Sequence, residues 1–199
     1  QVTVVILRHP HERKRAHTTG RMTHLFLKNS HFIDGIDFSE NKMVNSLIED
    51  EANSCFVLFP GRDALEVDEI KSGGRDFTKN SKDSKDSKKL VFFVLDGTWS
   101  TAKKIMKKSS NLQKLKKIAL APKVLSQYQI KRQPKDYCLS TIESVHYLID
   151  CLQGKNIVEL QTLNAHDVMI EGFKGMIAEV LKKKNDPMRI ITHGKKTAF

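Results

Sequence analysis

Asp96 closes the apolar run Leu90-Val91-Phe92-Phe93-Val94-Leu95 and is followed by Gly97-Thr98-Trp99. A carboxylate carried by a buried strand to a tight turn is placed for proton transfer or for holding a cationic group. Immediately after it, residues 97–135 contain eleven Lys or Arg and no Asp or Glu. The chain has 34 basic and 23 acidic side chains in all, so this one block accounts for the whole formal charge of +11. Lysine runs are ordinarily solvated faces, but here no acid supplies the usual i,i+4 partner and the ammonium groups repel one another. A phosphate backbone would relieve that repulsion, so the segregated field points to chemistry on a polyanion.

Two further apolar runs end in turns, Leu58-Phe59-Pro60-Gly61 and Cys138-Leu139-Ser140-Thr141. In open α/β sheets ligands sit outside the carboxyl ends of the strands, and several such turns at one edge would enclose a small molecule. Each turn also has a structural reading. Pro60-Gly61 makes a turn, Thr98 can cap a helix, and Ser140 with Glu143 spells a capping box. Trp99, the only tryptophan, reads in isolation as packing at the base of its helix. The three cysteines, Cys55, Cys138 and Cys151, form no Cys-x-x-Cys pair and fit reduced thiols in the cytoplasm. Among eight histidines only His9 and His11 are close in sequence, with no carboxylate-rich set around them, so no metal is expected.

The elements that must position these groups alternate between strand and helix patterns, which makes the class α/β. Strands are expected at 2–7, 32–33, 55–59, 90–95 and 118–120. Residues 90–95 read as a strand of a mostly parallel sheet covered on both faces. Helices are expected from Thr18 or Thr19 to about Lys28, burying Met22, Leu25 and Phe26. Others are expected at 42–51 with Val44, Leu47 and Ile48 inward, and at 99–108 with Trp99, Ala102 and Met106 on one side. A helix headed by Ser140 should bury Val145, Leu148, Ile149 and Leu152, and one at 166–183 should carry Met169, Phe173, Met176, Ile177 and Val180 as a stripe. The near repeats Ser81-Lys82-Asp83, Ser84-Lys85-Asp86 and Ser87-Lys88-Lys89 cannot build a core, so 73–89 reads as a flexible insertion. Residues 1–187 are expected to form one catalytic domain and 188–199 a tail. No run is long and apolar enough to suggest a membrane span, and the first residues lack the basic leader of a secretory signal.

Asp96-Gly97-Thr98-Trp99 resembles the Asp-x-Thr-Trp signature of the DTW-domain family, the tRNA-uridine aminocarboxypropyltransferases. Other landmarks follow in that family's order: His9-Pro10-x-Glu12, Thr19-Gly20-Arg21, Leu58-Phe59-Pro60, Tyr128-x-Ile130-Lys131-Arg132-Gln133-Pro134 and Leu139-Ser140-Thr141-Ile142-Glu143. The similarity runs from about Val2 to Phe173. It departs from the family in lacking a cysteine cluster before the first strand, in Ser144 where Ala is common, and in the Lys-Asp-Ser insertion.

The resemblance implies a SPOUT-like fold with a knotted C-terminal part that binds S-adenosylmethionine. It also implies transfer of a 3-amino-3-carboxypropyl group to N3 of a uridine in tRNA, releasing methylthioadenosine. On that reading Asp96 is the catalytic residue, as base for the N3 proton or as anchor for the ammonium of S-adenosylmethionine. Phe59, Pro60, Leu95, Gly97, Thr98, Trp99, Leu139, Ser140, Thr141 and Glu143 would form the cofactor cradle. Arg8, Arg21, Lys103, Lys104, Lys107, Lys131 and Arg132 would contact tRNA. Alternatives are a SPOUT-type RNA methyltransferase and a non-catalytic basic RNA-binding module.

Overall fold

The computed structural model describes residues 2–14, 18–67, 88–121, 126–128, 138–158 and 166–184. Strands β1 (Val2–Arg8), β2 (Ser30–Asp34), β3 (Asn53–Leu58), β4 (Leu65–Glu66), β5 (Lys89–Asp96) and β6 (Lys116–Ala119) form one sheet in the order β2-β1-β5-β3-β6-β4. Every neighbouring pair is parallel. Between them run a 3-10 turn (Pro10–Lys14) and helices α1 (Thr19–Phe26), α2 (Lys42–Glu49), α3 (Trp99–Lys108), α4 (Ser110–Gln113), α5 (Thr141–Gly154) and α6 (Asp167–Lys184).

The side-chain alternation of the central strands sorts the helices into two outer layers. Val5 and Leu7 of β1, Val57 of β3, and Val91 and Phe93 of β5 point to one face, against Val44 of α2, Ile105 and Met106 of α3, and Leu112 of α4. Val4, Ile6 and Val94 point to the other, against Ile142, Val145 and Ile149 of α5 and Met169, Phe173 and Ile177 of α6. Phe56, Leu90 and Phe92 extend that second face toward Leu148 and Leu152 of α5. β5 is thus buried on both sides, and its unbroken apolar run is what a central parallel strand needs. Asn156, at φ 54°, takes the left-handed conformation that ends α5, one of the few residue types that does so at low cost.

The helix at 99–108 and the cap at Ser140 lie where the sequence puts them, and the Ser140–Glu143 capping box is formed. Two packing expectations are overturned. Leu25 is 76% exposed and Phe26 40%, because the inward face of α1 consists of the small residues Thr19, Gly20 and Thr23. Phe26 instead lies over Gly172 of α6, where an added Cβ would sit 2.5 Å from its ring. Trp99 is 44% exposed while Ala102, Ile105 and Met106 form the buried side of α3, so the tryptophan is not core packing. β4 and α4, two and four residues long, are too short for a periodic signal and were not expected.

The 73–89 insertion falls outside the described residues except for Lys88 and Lys89, and the 188–199 tail does so entirely. The expected knot depends on connections at 122–125, 129–137 and 159–165, which also lie outside them. No helix among the described residues is long and apolar enough to cross a membrane.

Burial pushes the Cys55 thiol up to about 11, with Asp50 adding to the effect. At pH 8, iodoacetamide should therefore alkylate Cys55 about 100-fold more slowly than an unperturbed thiol, because only the thiolate reacts. Peptide mapping after timed alkylation measures this, and a rate like that of free cysteine would contradict it.

Candidate active site

The carboxyl ends of β1 and β5 lie side by side. Arg8 is in register with Asp96, and the His9 N–H donates to the Asp96 carbonyl oxygen at 3.0 Å. From here the chain leaves in opposite directions. β1 leads through α1 to β2 on one flank, whereas β5 leads through α3 to β6 on the other, with α1 and α3 on opposite faces. Such a switch point opens a crevice at the strand ends, and Asp96 stands in it.

Asp96 is only 5% exposed. The Thr141 hydroxyl donates to its Oδ1 at 2.6 Å. Thr141 is the first residue of α5, so this bond fastens the end of the central strand to the positive end of a 14-residue helix. α1 closes over the same carboxylate. A Cβ on Gly20 would overlap Asp96 Cγ and Oδ2 and fall 2.8 Å from Oδ1, so only glycine lets the helix lie this close.

The third turn arrives through Phe59. Its N–H donates to the Ile118 carbonyl at 3.0 Å, and its ring stacks on Trp99 with centroids 5.6 Å apart and planes 16° from parallel. The Lys103 ammonium lies 5.5 Å over the Trp99 ring. The pair forms a half-exposed aromatic platform of the kind that accepts a flat heterocycle. Gly97 is fixed by crowding, since a Cβ there would strike Thr101 Oγ1 and lie 3.6 Å from His9 Cβ. The Thr98 hydroxyl accepts from the Thr101 N–H at 3.3 Å and caps α3. Leu95 and Leu139 are half-buried, and Pro60 is exposed at the rim.

Glu143 has a different occupation. Its Oε2 accepts from the Ser140 N–H (2.8 Å), the Ser140 hydroxyl (2.6 Å) and the Ser126 hydroxyl (2.8 Å), and its Oε1 accepts from the Gln127 N–H (2.6 Å). One buried carboxylate therefore ties residues 126–128 to the head of α5. Tyr128 completes the tie, its ring tilted on Phe173 at 5.6 Å.

Of the expected RNA contacts, Arg21, Lys103, Lys104 and Lys107 are exposed. Arg8 is engaged elsewhere: its Nε and Nη2 donate to the two oxygens of Asp34 at 2.6 and 2.9 Å, and its guanidinium lies 4.7 Å from the Phe32 ring centre. The Arg8 fork, with Arg13 on the same carboxylate, holds Asp34 below the ordinary carboxylate range. Lys131 and Arg132 lie outside the described residues.

Two residues join this edge that composition and periodicity did not single out. Gly20 is the first; an isolated glycine inside a helical pattern is the one sequence signal of such a close approach. His9, 1% exposed, is the second. Burial is the main cause that pushes its pKa down, helped by the charges of His11 and Lys104 and opposed by Glu12, so the ring is neutral near pH 7. His9 Nδ1 accepts from the His11 N–H at 3.3 Å, which assigns the ring proton to Nε2. Nε2 has no hydrogen-bond partner among the described residues.

A family model described as DTW domain matches residues 1–181. The Drosophila melanogaster protein named tRNA-uridine aminocarboxypropyltransferase 2 is 29% identical over 155 residues, covering 76% of this chain and 57% of its own length. The Mus musculus protein of that name is 29% identical over 125 residues, covering 63% of this chain and 38% of its own length. The chain thus spans about half or less of the curated relatives it matches. No solved structure matches.

Proposed function

The chain belongs to the DTW-domain family, and from that premise we propose that it transfers the 3-amino-3-carboxypropyl group of S-adenosylmethionine to N3 of a uridine in tRNA. The observation that carries the reading is the Thr141–Asp96 hydrogen bond, which joins two family motifs 45 residues apart at the switch point of the sheet. The names of the relatives support the same substrate and the same transferred group.

The residues at the switch point fit S-adenosylmethionine. The Phe59–Trp99 stack offers a face for adenine. Asp96, beside the head of α5, suits an ammonium. When bound, the sulfonium supplies a thioether leaving group and makes the adjoining carbons electrophilic. The protein's task is then one of placement. The uridine N3–C bond forms as the C–S bond breaks, the N3 proton is taken up by a base, and methylthioadenosine departs. Holding both reactants in line can supply up to about 7–11 kcal/mol of the barrier.

Asp96 serves either as the base that accepts the N3 proton or as the anchor that turns the aminocarboxypropyl carbon toward the uridine. A free Asp, with a pKa of about 3.9, is a weak base, so the first role asks more of this carboxylate than the second. Incubation of tRNA with protein and S-adenosylmethionine, followed by nucleoside mass spectrometry, tests the reading. Aminocarboxypropyluridine and methylthioadenosine are expected. A methylated base with S-adenosylhomocysteine would establish a methyltransferase instead, and no product with retained tRNA binding would establish a binding module.

The exposed Lys103, Lys104, Lys107 and Lys108 of α3 are the docking surface for the tRNA backbone in this proposal. The double variant Lys103→Glu/Lys107→Glu should weaken tRNA binding and reduce the slope of log K against log salt by about 1–2, as lost phosphate contacts release fewer counterions. Filter binding across a salt series measures this, and an unchanged slope would place the docking surface elsewhere.

A further inference from the structure

Where α6 begins it lies against α5, and four metal-ligating side chains come together there. His146 and Asp150 are one turn apart on α5, while His166 and Asp167 lead into α6. The His146 and His166 ring centroids are 4.6 Å apart. His146 Nε2 is 2.7 Å from Asp167 Oδ1. His166 Nε2 is 3.6 Å from Asp150 Oδ1 and 4.0 Å from Asp167 Oδ1. One ligand atom each from His146, His166 and Asp167 fit within 4.8 Å of one another.

Ligand atoms on a tetrahedral ion with bonds of about 2.0–2.2 Å stand about 3.3–3.5 Å apart, so small side-chain adjustments would close this set. A second observation is independent of the spacing. The His166 side chain is 2% exposed, yet neither of its ring nitrogens has a hydrogen-bond partner among the described residues. Buried polar groups are nearly always satisfied, and a buried imidazole whose Nε2 meets only carboxylates at 3.6 and 4.0 Å leaves room for a ligand between them. The side chains of Asp150 and Asp167 are more than half exposed, which gives an ion a way in from solvent.

We propose that His146, His166 and Asp167 bind one divalent transition-metal ion of the zinc type, with Asp150 within reach as fourth ligand. Two imidazoles with carboxylate oxygen suit such an ion and not magnesium or calcium. The ion fastens the start of α6 to the helix that begins with Thr141. The expectation of no metal came from sequence spacing, in which His146 and His166 are 20 residues apart; only the packing of α5 on α6 brings them together. The site does not depend on the reaction assigned to the switch point.

The test uses the tag-free full chain, freed of metal by a chelator and titrated with zinc against a chromophoric competitor. Cobalt(II) gives a second readout through its visible absorption at low coordination number. One equivalent is expected to bind and to raise the melting temperature. His146→Ala should lower the affinity at least about tenfold, and Asp167→Asn, at a half-exposed position that tolerates the change, about 10–100-fold. Equal affinity in the wild type and the Asp167→Asn and His146→Ala variants would overturn the proposal, as would no binding by the wild type. Should His146→Ala fail to fold, Asp167→Asn alone decides.

Discussion

Asp96→Asn should lower aminocarboxypropyl transfer by about 10²–10⁴-fold, the range expected when a positioned acid–base group is removed. Asparagine keeps the shape of the side chain and can still accept from the Thr141 hydroxyl, which now reaches Oδ1 at 2.6 Å. The fold and the affinity for tRNA should therefore stay close to wild type, checked by circular dichroism and filter binding. The kinetic pattern separates the two roles of the carboxylate. Loss of a base lowers kcat with little change in KM for S-adenosylmethionine; loss of an ammonium anchor raises that KM as well. Turnover within about threefold of wild type would remove Asp96 from the chemistry, because an acid–base or anchoring role carries at least tens-fold.

Gly20→Ala should be nearly as damaging without touching a reactive group. On an exposed helix the exchange would stabilise by about 0.5–1 kcal/mol. Here the added methyl meets the Asp96 carboxylate head on, with Oδ1 at 2.8 Å and Cγ and Oδ2 nearer still. Either α1 backs away from β5, or the carboxylate swings off Thr141. Overpacking of this kind costs about 1–3 kcal/mol. A misplacement of about 1 Å at the reacting centre costs on the order of 10²-fold in rate. The expected result is a modest fall in melting temperature with a loss of kcat/KM about two orders of magnitude deep. Full activity would mean that the helix yields and the carboxylate does not need its lid.

The parts of this site that lie along one element were legible in the sequence. β5 shows itself as an unbroken apolar run ending in Asp96, and α3 begins at Trp99 as expected because Thr98 is a good cap. The capping box fixed the head of α5. What stayed hidden depends on contacts between elements. Hydrophobic periodicity assigns Leu25 and Phe26 to the interior, yet α1 presents its small residues inward because a carboxylate lies beneath. It assigns Trp99 to the core as well, whereas Phe59 from another strand draws that ring into a stack at the rim. Glu143 reads as a cap from its spacing alone. Its hold on Ser126 and Gln127 needs a loop that returns from outside the helix. His146 and His166 belong together only because α6 folds back along α5.

The strand order has a consequence for how the chain is made. β1 and β3 each pair with β5, which follows β1 by some eighty residues, and they do not touch one another. A growing polypeptide that has emerged only as far as β4 holds the β1–β2 pair and the lone strands β3 and β4, which both still wait for β6, and the edges of β1 and β3 that will face β5 are open and apolar. Until the keystone strand arrives, those edges are templates for the wrong partner, and translation proceeds at only about 5–20 residues per second. Binding by a chaperone should therefore concentrate on nascent chains that stop short of residue 89 and fall away once Lys89–Asp96 has cleared the ribosome.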